Sequence, residues 1–143
     1  MKYIFLSKKF YEVYNEAEYP EILHKPGRPY VMLLMQIDGL TFAIPFRSHL
    51  RHKFCYITDK RKCSGLDFSK AVIIIDKSYI SDTKRVITIT EKENKIMLER
   101  KEVIIQRFKT YLNTYKRIIE NKGYKGSKNY TALQYFHKEL GLE

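Results

Sequence analysis

The densest group of chemically useful side chains in this sequence lies in residues 45–54, which read Pro-Phe-Arg-Ser-His-Leu-Arg-His-Lys-Phe. The segment combines one hydroxyl, two imidazoles and three cations. Cleavage of RNA by its own 2′-hydroxyl needs a base, an acid and cations beside the phosphorane, and such side chains supply all three without a metal. The segment therefore predicts a catalytic group, whose candidates are Arg47, Ser48, His49, Arg51 and His52. A solvated basic loop is the alternative.

The charge balance favours a polyanionic partner. Lys and Arg total 27 against 16 Asp and Glu, which gives a formal net charge of +11, and such a field attracts nucleic acid. Residues 47–63 hold six of the cations and one acid. We expect RNA contacts from Lys53, Lys60, Arg61 and Lys62, and from a second basic, aromatic stretch with Lys122, Tyr124, Lys125 and Lys128. That second stretch is equally typical of a solvated linker.

Two cysteines and two histidines raise the question of a metal site. His49, His52, Cys55 and Cys63 could ligate zinc on paper, but the spacing between the cysteines exceeds the usual two to four residues. We expect no metal, no cofactor and two reduced thiols. The chain also lacks a glycine-rich phosphate loop, a dinucleotide fingerprint and the acidic cluster of two-metal nucleases.

The elements that would position these residues begin with a strand at 2–6 and a helix capped by Ser7 that runs to about Glu18. An apolar run at 31–37, the Asp38-Gly39 pair and residues 41–46 predict a β-hairpin, because Asp-Gly tolerates the positive φ of a tight turn.

Helices dominate after residue 90. A buried strand is expected at 71–75 and a shorter one at 86–89. Thr90 should begin a helix that breaks near Arg100 and continues to Gly123. A short final helix, capped by Ser127 or Asn129 and ended by Gly141, buries Leu133, Phe136 and Leu140. The order predicts a single α+β domain over residues 1–143, with a twisted antiparallel sheet covered by helices.

The apolar stretch at the N-terminus ends at Ser7, which is too early for a signal peptide or a spanning helix. We therefore expect a cytoplasmic protein without a membrane partner.

The segment from Tyr30 to Ser48 resembles the ToxN/AbiQ family of type III toxin–antitoxin toxins, together with its CptN and TenpN relatives. In that family an apolar strand, a turn with Gly, and a strand ending in Pro, an apolar residue, Thr or Arg, and Ser follow one another. Here the strand end is Pro45-Phe46-Arg47-Ser48. The resemblance implies a metal-independent endoribonuclease that cuts A-rich RNA, on a barrel-like β core related to the MazF and Kid toxins.

The resemblance also implies roles for single residues. Ser48 would be the active-site hydroxyl, with Arg47 and Arg28 as its basic neighbours. A family lysine after the serine falls here on Leu50 or Arg51, and Arg51 is the cation available. His24 and Tyr30 would contact RNA. Proton transfer falls to His49 or His52, because arginine stays protonated; which of them is base and which acid stays open.

The implied partner is a small antitoxin RNA, cut by the toxin from a repeat precursor, folded as a pseudoknot and kept bound as inhibitor. Several toxin and RNA copies would close into one assembly, and messenger RNA would be the substrate, with 2′,3′-cyclic phosphate ends and a part in abortive phage infection. A noncatalytic RNA-binding module is the alternative. A DNA-binding regulator is disfavoured, because no helix-turn-helix pattern is present.

Overall fold

The computed structural model describes residues 2–25, 29–121 and 130–142. These residues form one antiparallel sheet and three α-helices, as the α+β prediction has it. The strands are β1 (Lys2–Ile4), β2 (Met32–Ile37), β3 (Leu40–Arg47), β4 (Cys55–Asp59), β5 (Ser64–Asp67) and β6 (Val72–Ile73). The helices are α1 (Lys8–Val13), α2 (Glu91–Glu99) and α3 (Lys101–Glu120).

The β2–β3 hairpin is the centre of the sheet, and its prediction is confirmed. Its register runs from Met32 opposite Pro45 to Ile37 opposite Leu40. Asp38 and Gly39 form the turn with φ values of 52° and 80°. Two consecutive positive φ values are what the right-handed twist of a two-residue hairpin requires. The hairpin delivers Arg47 and the following Ser48 to the end of the sheet.

The sheet is open, so the barrel-like core expected from the sequence is wrong in that respect. The strand order is β1-β2-β3-β5-β4, and β6 pairs with β3 beside β5. One edge of β3 is thus shared, because β5 pairs with Phe46 and Arg47 while β6 pairs with Phe42 and Ala43. The outermost strands β1 and β4 do not pair, and no closed ring of strands forms among the described residues.

The β4–β5 hairpin was not expected from the sequence, which indicated only a basic loop over 47–63. Tyr56 and Thr58 alternate inward along β4, but only these two buried side chains mark the strand. The cations Lys60, Arg61 and Lys62 occupy its turn, where the Asp59 carboxylate accepts the backbone N–H groups of Arg61 and Lys62. The concentration of charge in this turn made the whole segment resemble a loop, so the sequence did not predict β4 and β5.

The helix boundaries follow local capping chemistry. Ser7 caps α1 by accepting the Phe10 N–H, although α1 ends at Val13 and does not reach Glu18. Thr90 caps α2, and Arg100 separates α2 from α3, both as predicted.

Two other expectations differ from the structure. Residues 86–89 form no strand, because no neighbouring strand pairs with them. Thr131 caps a 3₁₀ turn at Ala132–Tyr135 in place of the predicted final helix. The caps proposed at Ser127 and Asn129 lie outside the described residues.

Helix α3 packs its apolar stripe against the sheet. Ile104, Phe108, Leu112 and Tyr115 are buried, and the Phe108 ring meets the Phe42 ring edge-on at 5.1 Å between centroids. Leu133, Phe136 and Leu140 join the same core, as expected. No described helix is long and apolar enough to cross a membrane.

The first prediction concerns Gly65, which lies where β5 passes closest to β4. A Cβ at this position would lie 1.9 Å from the Tyr56 carbonyl oxygen. Gly65→Ala should therefore force the strands apart and lower the free energy of unfolding by about 3 kcal/mol, measured by urea denaturation.

Gly39→Ala is the matched control. A Cβ at Gly39 would meet no atom within 4 Å, so the substitution is unfavourable only because the φ is positive, and it should cost about 1 kcal/mol. A Gly65→Ala variant no less stable than Gly39→Ala would contradict the close approach.

Candidate functional site

A cleft of about 670 Å³ opens where the end of β3 meets the β4–β5 turn and the extended residues 84–89. Four residues predicted from the sequence line it together, namely Tyr30, Arg47, Ser48 and Lys62. Lys25 and Arg85 line it as well and were not predicted. Tertiary folding thus brings four cations, Lys25, Arg47, Lys62 and Arg85, to the same cleft as the Ser48 hydroxyl, an arrangement that attracts a phosphate group.

The Asp67 carboxylate holds Arg47 in place. Asp67 is fully buried at the end of β5, and its Oδ2 accepts the Arg47 Nη1–H at 2.7 Å. Its Oδ1 accepts both the N–H and the hydroxyl of Ser69, at 3.1 and 2.6 Å. A buried carboxylate with three protein donors is a rigid anchor. Arg47 therefore reaches the cleft in a fixed orientation.

His52 contacts the same carboxylate, and both of its ring nitrogens have a polar partner. Its Nδ1 accepts the Phe54 backbone N–H at 3.1 Å, and its Nε2 lies 3.2 Å from Asp67 Oδ1. An Nδ1 that accepts a hydrogen bond carries no proton, so the neutral ring bears its proton on Nε2 and donates it to Asp67. His52 thus braces Asp67 and the 52–54 backbone, and it does not line the cleft.

His49 follows the cleft residue Ser48 and has an exposed side chain. Its backbone has a φ of 58° and donates its N–H to the Lys62 carbonyl at 3.0 Å. Leu50 likewise donates to the Cys63 carbonyl at 2.9 Å. These two bonds tie the 48–50 segment to the β4–β5 turn and bring Lys62 to the cleft. Within the described part of the chain, the His49 ring has no hydrogen-bond partner.

Glu93 is a second buried carboxylate that the sequence did not single out as functional. It lines the cleft, is 5% exposed, and its Oε2 accepts the hydroxyls of Thr58 and Ser64 at 2.7 and 2.9 Å. Its Oε1 accepts the Thr90 hydroxyl. Glu93 therefore joins the start of α2 to the β4–β5 hairpin, beneath the cations of the cleft.

The remaining candidates lie elsewhere or are not described. His24 donates its Nε2–H to the Tyr14 carbonyl at 2.6 Å and does not line the cleft. Arg51, Lys60 and Arg61 are exposed outside the cleft, and Lys53 lines a second cleft. Arg28, Lys122, Tyr124, Lys125 and Lys128 fall outside the described residues.

The possible zinc ligands do not converge. Within residues 2–25, 29–121 and 130–142, no three His, Cys, Asp or Glu side chains form a group able to hold a metal. The Cys55 and Cys63 thiols are both free. Burial, then the nearby Asp67 and Cys63, raise the pKa of the Cys55 thiol, which makes it a poor nucleophile.

The chain matches no family model, no curated protein and no solved structure. The resemblance to type III toxins therefore rests on the residues named above, chiefly Pro45 to Ser48, and stays a prediction.

Asp67 had one recognisable signal in the sequence. It begins an Asp-x-Ser motif, Asp67 to Ser69, which recurs at Asp76 to Ser78 with the same two hydrogen bonds. The motif predicts a capped turn in both places. Only the fold distinguishes them, because it buries Asp67 and leaves Asp76 exposed.

The second prediction uses this pair. Asp67→Asn should lower the free energy of unfolding by about 3 kcal/mol, because it leaves Arg47 without its buried counter-charge. Asp76→Asn should leave stability nearly unchanged, since the exposed Asp76 lies 3.9 Å from Lys9 in a solvated pair. Urea denaturation measures both, and equal effects would contradict the anchoring role.

Proposed function

We propose that this protein is a metal-independent endoribonuclease, the toxin of a type III toxin–antitoxin system. The observation that carries the proposal is the convergence of Arg47, Ser48 and Lys62 in one cationic cleft, with Arg47 anchored on buried Asp67. The toxin resemblance and the chemistry of RNA cleavage each point to Arg47 and Ser48, and the charge pattern of the sequence points to Lys62 as an RNA contact.

The proposed reaction is transesterification. His49 takes the proton of the ribose 2′-hydroxyl, and the 2′-oxygen attacks phosphorus. The bond to the 5′-oxygen breaks, and the Lys62 ammonium protonates that leaving oxygen. Arg47 and Arg85 stabilise the negative charge of the phosphorane, while Ser48 hydrogen-bonds a phosphate oxygen. The products are a 2′,3′-cyclic phosphate and a 5′-hydroxyl.

We assign the two histidines different roles in this reaction because their surroundings differ. The ring of His52 is engaged with Asp67 and Phe54 on both sides, so it acts as a positioning residue. The side chain of His49 is exposed, and its chain neighbour Ser48 lines the cleft, so we assign proton transfer to His49.

If the protein is such a toxin, its RNA partners follow from the same proposal. Messenger RNA would be the substrate, and a repeat-derived antitoxin RNA would occupy the cleft as inhibitor, in a closed toxin–RNA assembly in the cytoplasm. The open β core would be a relative of the MazF and Kid core. The formal charge of +11 supports a polyanionic partner.

A noncatalytic RNA-binding module is the second candidate. It is favoured by the fact that neither His49 nor His52 lines the cleft. Both candidates bind RNA, so only cleavage separates them.

The third prediction is that the purified protein cuts single-stranded A-rich RNA in the presence of EDTA and leaves 2′,3′-cyclic phosphate ends. Arg47→Ala should slow cleavage by about a hundredfold, because a charge at the phosphorane is lost. Ser48→Ala should slow it as well. End analysis of a labelled oligonucleotide checks both, with Lys95→Ala, an exposed lysine of α2 outside the cleft, as control.

Two outcomes would contradict the proposed nuclease activity. Activity abolished by EDTA and restored by zinc would overturn the metal-independent mechanism. RNA binding without any cleavage would establish the noncatalytic module instead.

The fourth prediction tests which of the two histidines takes part in proton transfer. His49→Asn should reduce cleavage by about a hundredfold, because the proton acceptor is lost. Asparagine tolerates the positive φ of His49, so the fold should be kept.

His52→Asn is the matched control. The Oδ1 of the asparagine can still accept the Phe54 N–H, so cleavage should fall by less than about tenfold. The reverse order of effects would transfer the proton-transfer role to His52.

A further inference from the structure

A second cleft, of about 470 Å³, lies between α3 and the residues that lead into β4. It takes no part in the reaction proposed above. It is lined by two cations, Lys53 and Arg107, and by five aromatic side chains, Phe54, Phe68, Tyr111, Tyr115 and Tyr130.

The aromatic rings are arranged as an open stacking platform. The rings of Phe54 and Tyr130 are nearly parallel, at 18°, with centroids 6.2 Å apart. Tyr111 lies 5.6 Å from Phe54. Tyr130 is 43% exposed, and its carbonyl is fixed by the Lys70 ammonium at 2.8 Å. A flat ligand can therefore stack on Tyr130 without displacing core residues.

The two cations of this cleft, Lys53 and Arg107, favour an anionic ligand. Lys53 Nζ lies 5.4 Å from the Phe54 ring centroid, and the Arg107 guanidinium lies 5.2 Å from that of Tyr56. Burial raises the pKa of both Tyr111 and Tyr115, to about 12 for Tyr115. These phenols therefore stay neutral and add no negative charge. Cationic grooves that contain aromatic side chains are the usual means of holding single-stranded nucleic acid, and this cleft combines Lys53 and Arg107 with the rings of Phe54 and Tyr130.

The two clefts are joined through the Asp67 carboxylate. Asp67 binds Arg47, which lines the first cleft, and His52, whose backbone neighbour Phe54 lines the second. His52 also accepts the Phe54 N–H. The chain segment 47–54 thus leads from one cleft to the other, with Arg51 and Lys53 exposed along it.

We propose that the second cleft binds one unpaired nucleobase of the RNA whose backbone lies at Arg47 and Ser48, with the base stacked on Tyr130. Thr110 and Thr114 line the same cleft and present hydroxyls to the edge of the base. The cleft would then help to choose the sequence that is cut. This inference rests on the proposed RNA ligand, but it needs binding and not cleavage.

The experiment combines a change in the protein with a change in the RNA. The probe is a fluorescent A-rich oligonucleotide with 2′-deoxyribose at the cleaved position, and a series in which each base in turn is replaced by an abasic site. Binding to the full chain is measured by anisotropy. Tyr130→Ala should weaken binding about five- to hundredfold, the range of a lost base–aromatic stack.

One abasic position should weaken wild-type binding by a similar factor. Combining that abasic probe with Tyr130→Ala should weaken it no further, because both changes remove the same contact. Tyr130→Phe should bind like wild type. Arg107→Gln should weaken binding more than Arg117→Gln, which removes the same charge from an exposed position of α3 outside the cleft.

The outcomes separate the two proposals. If Tyr130→Ala binds like wild type, or if its effect is independent of every abasic position, the nucleobase site is wrong whether or not RNA is cut. If wild type binds with the expected coupling but never cuts, the nuclease is wrong and the nucleobase site stands. If wild type binds no RNA, both are overturned.

Discussion

The buried carboxylate of Asp67 is the constraint on which both clefts depend. A fully buried charge is tolerated only where donors surround it, because desolvation costs several kcal/mol per ion. Asp67 meets this condition by drawing in Arg47, His52 and the Ser69 turn. Because the buried Asp67 carboxylate needs these donors, it fixes the end of β3, the start of the 52–54 segment and the turn after β5.

Glu93 plays the corresponding part at the other end of β5. It binds the Ser64 hydroxyl at the first residue of the strand, whereas Asp67 is the last. Two buried carboxylates therefore flank a strand of four residues, in a protein whose formal charge is +11. Their negative charge offsets the mutual repulsion of the cations that crowd the first cleft. The same arrangement leaves the outer cations facing solvent, where an anionic ligand can meet them.

Backbone strain is present both in the segment between β3 and β4 and in the β4–β5 turn. His49 and Cys63 both have positive φ, at 58° and 49°, which costs a residue with a Cβ about 1 kcal/mol or more. The strain persists because the two bonds between residues 49–50 and 62–63 close the segment onto the β4–β5 turn. Strained non-glycine residues of this kind cluster at functional sites. Here the closure presents Ser48 and Lys62 to the same space.

Local sequence patterns determined the elements whose signals lie within a few residues. The β2–β3 hairpin, the caps at Ser7 and Thr90, the break at Arg100 and the apolar stripe of α3 follow from turn chemistry and periodicity. Residue types likewise indicated the anion-binding character of Arg47, Ser48 and Lys62. The open sheet, the β4–β5 hairpin and the lack of a strand at 86–89 were decided by tertiary pairing, because a strand forms only where a neighbour accepts its hydrogen bonds. Tertiary structure also decided that Asp67 is buried while Asp76, in the same Asp-x-Ser motif, is exposed. It likewise decided that His52 contacts Asp67 while the His49 side chain is exposed, since burial and partners come from segments distant in the chain.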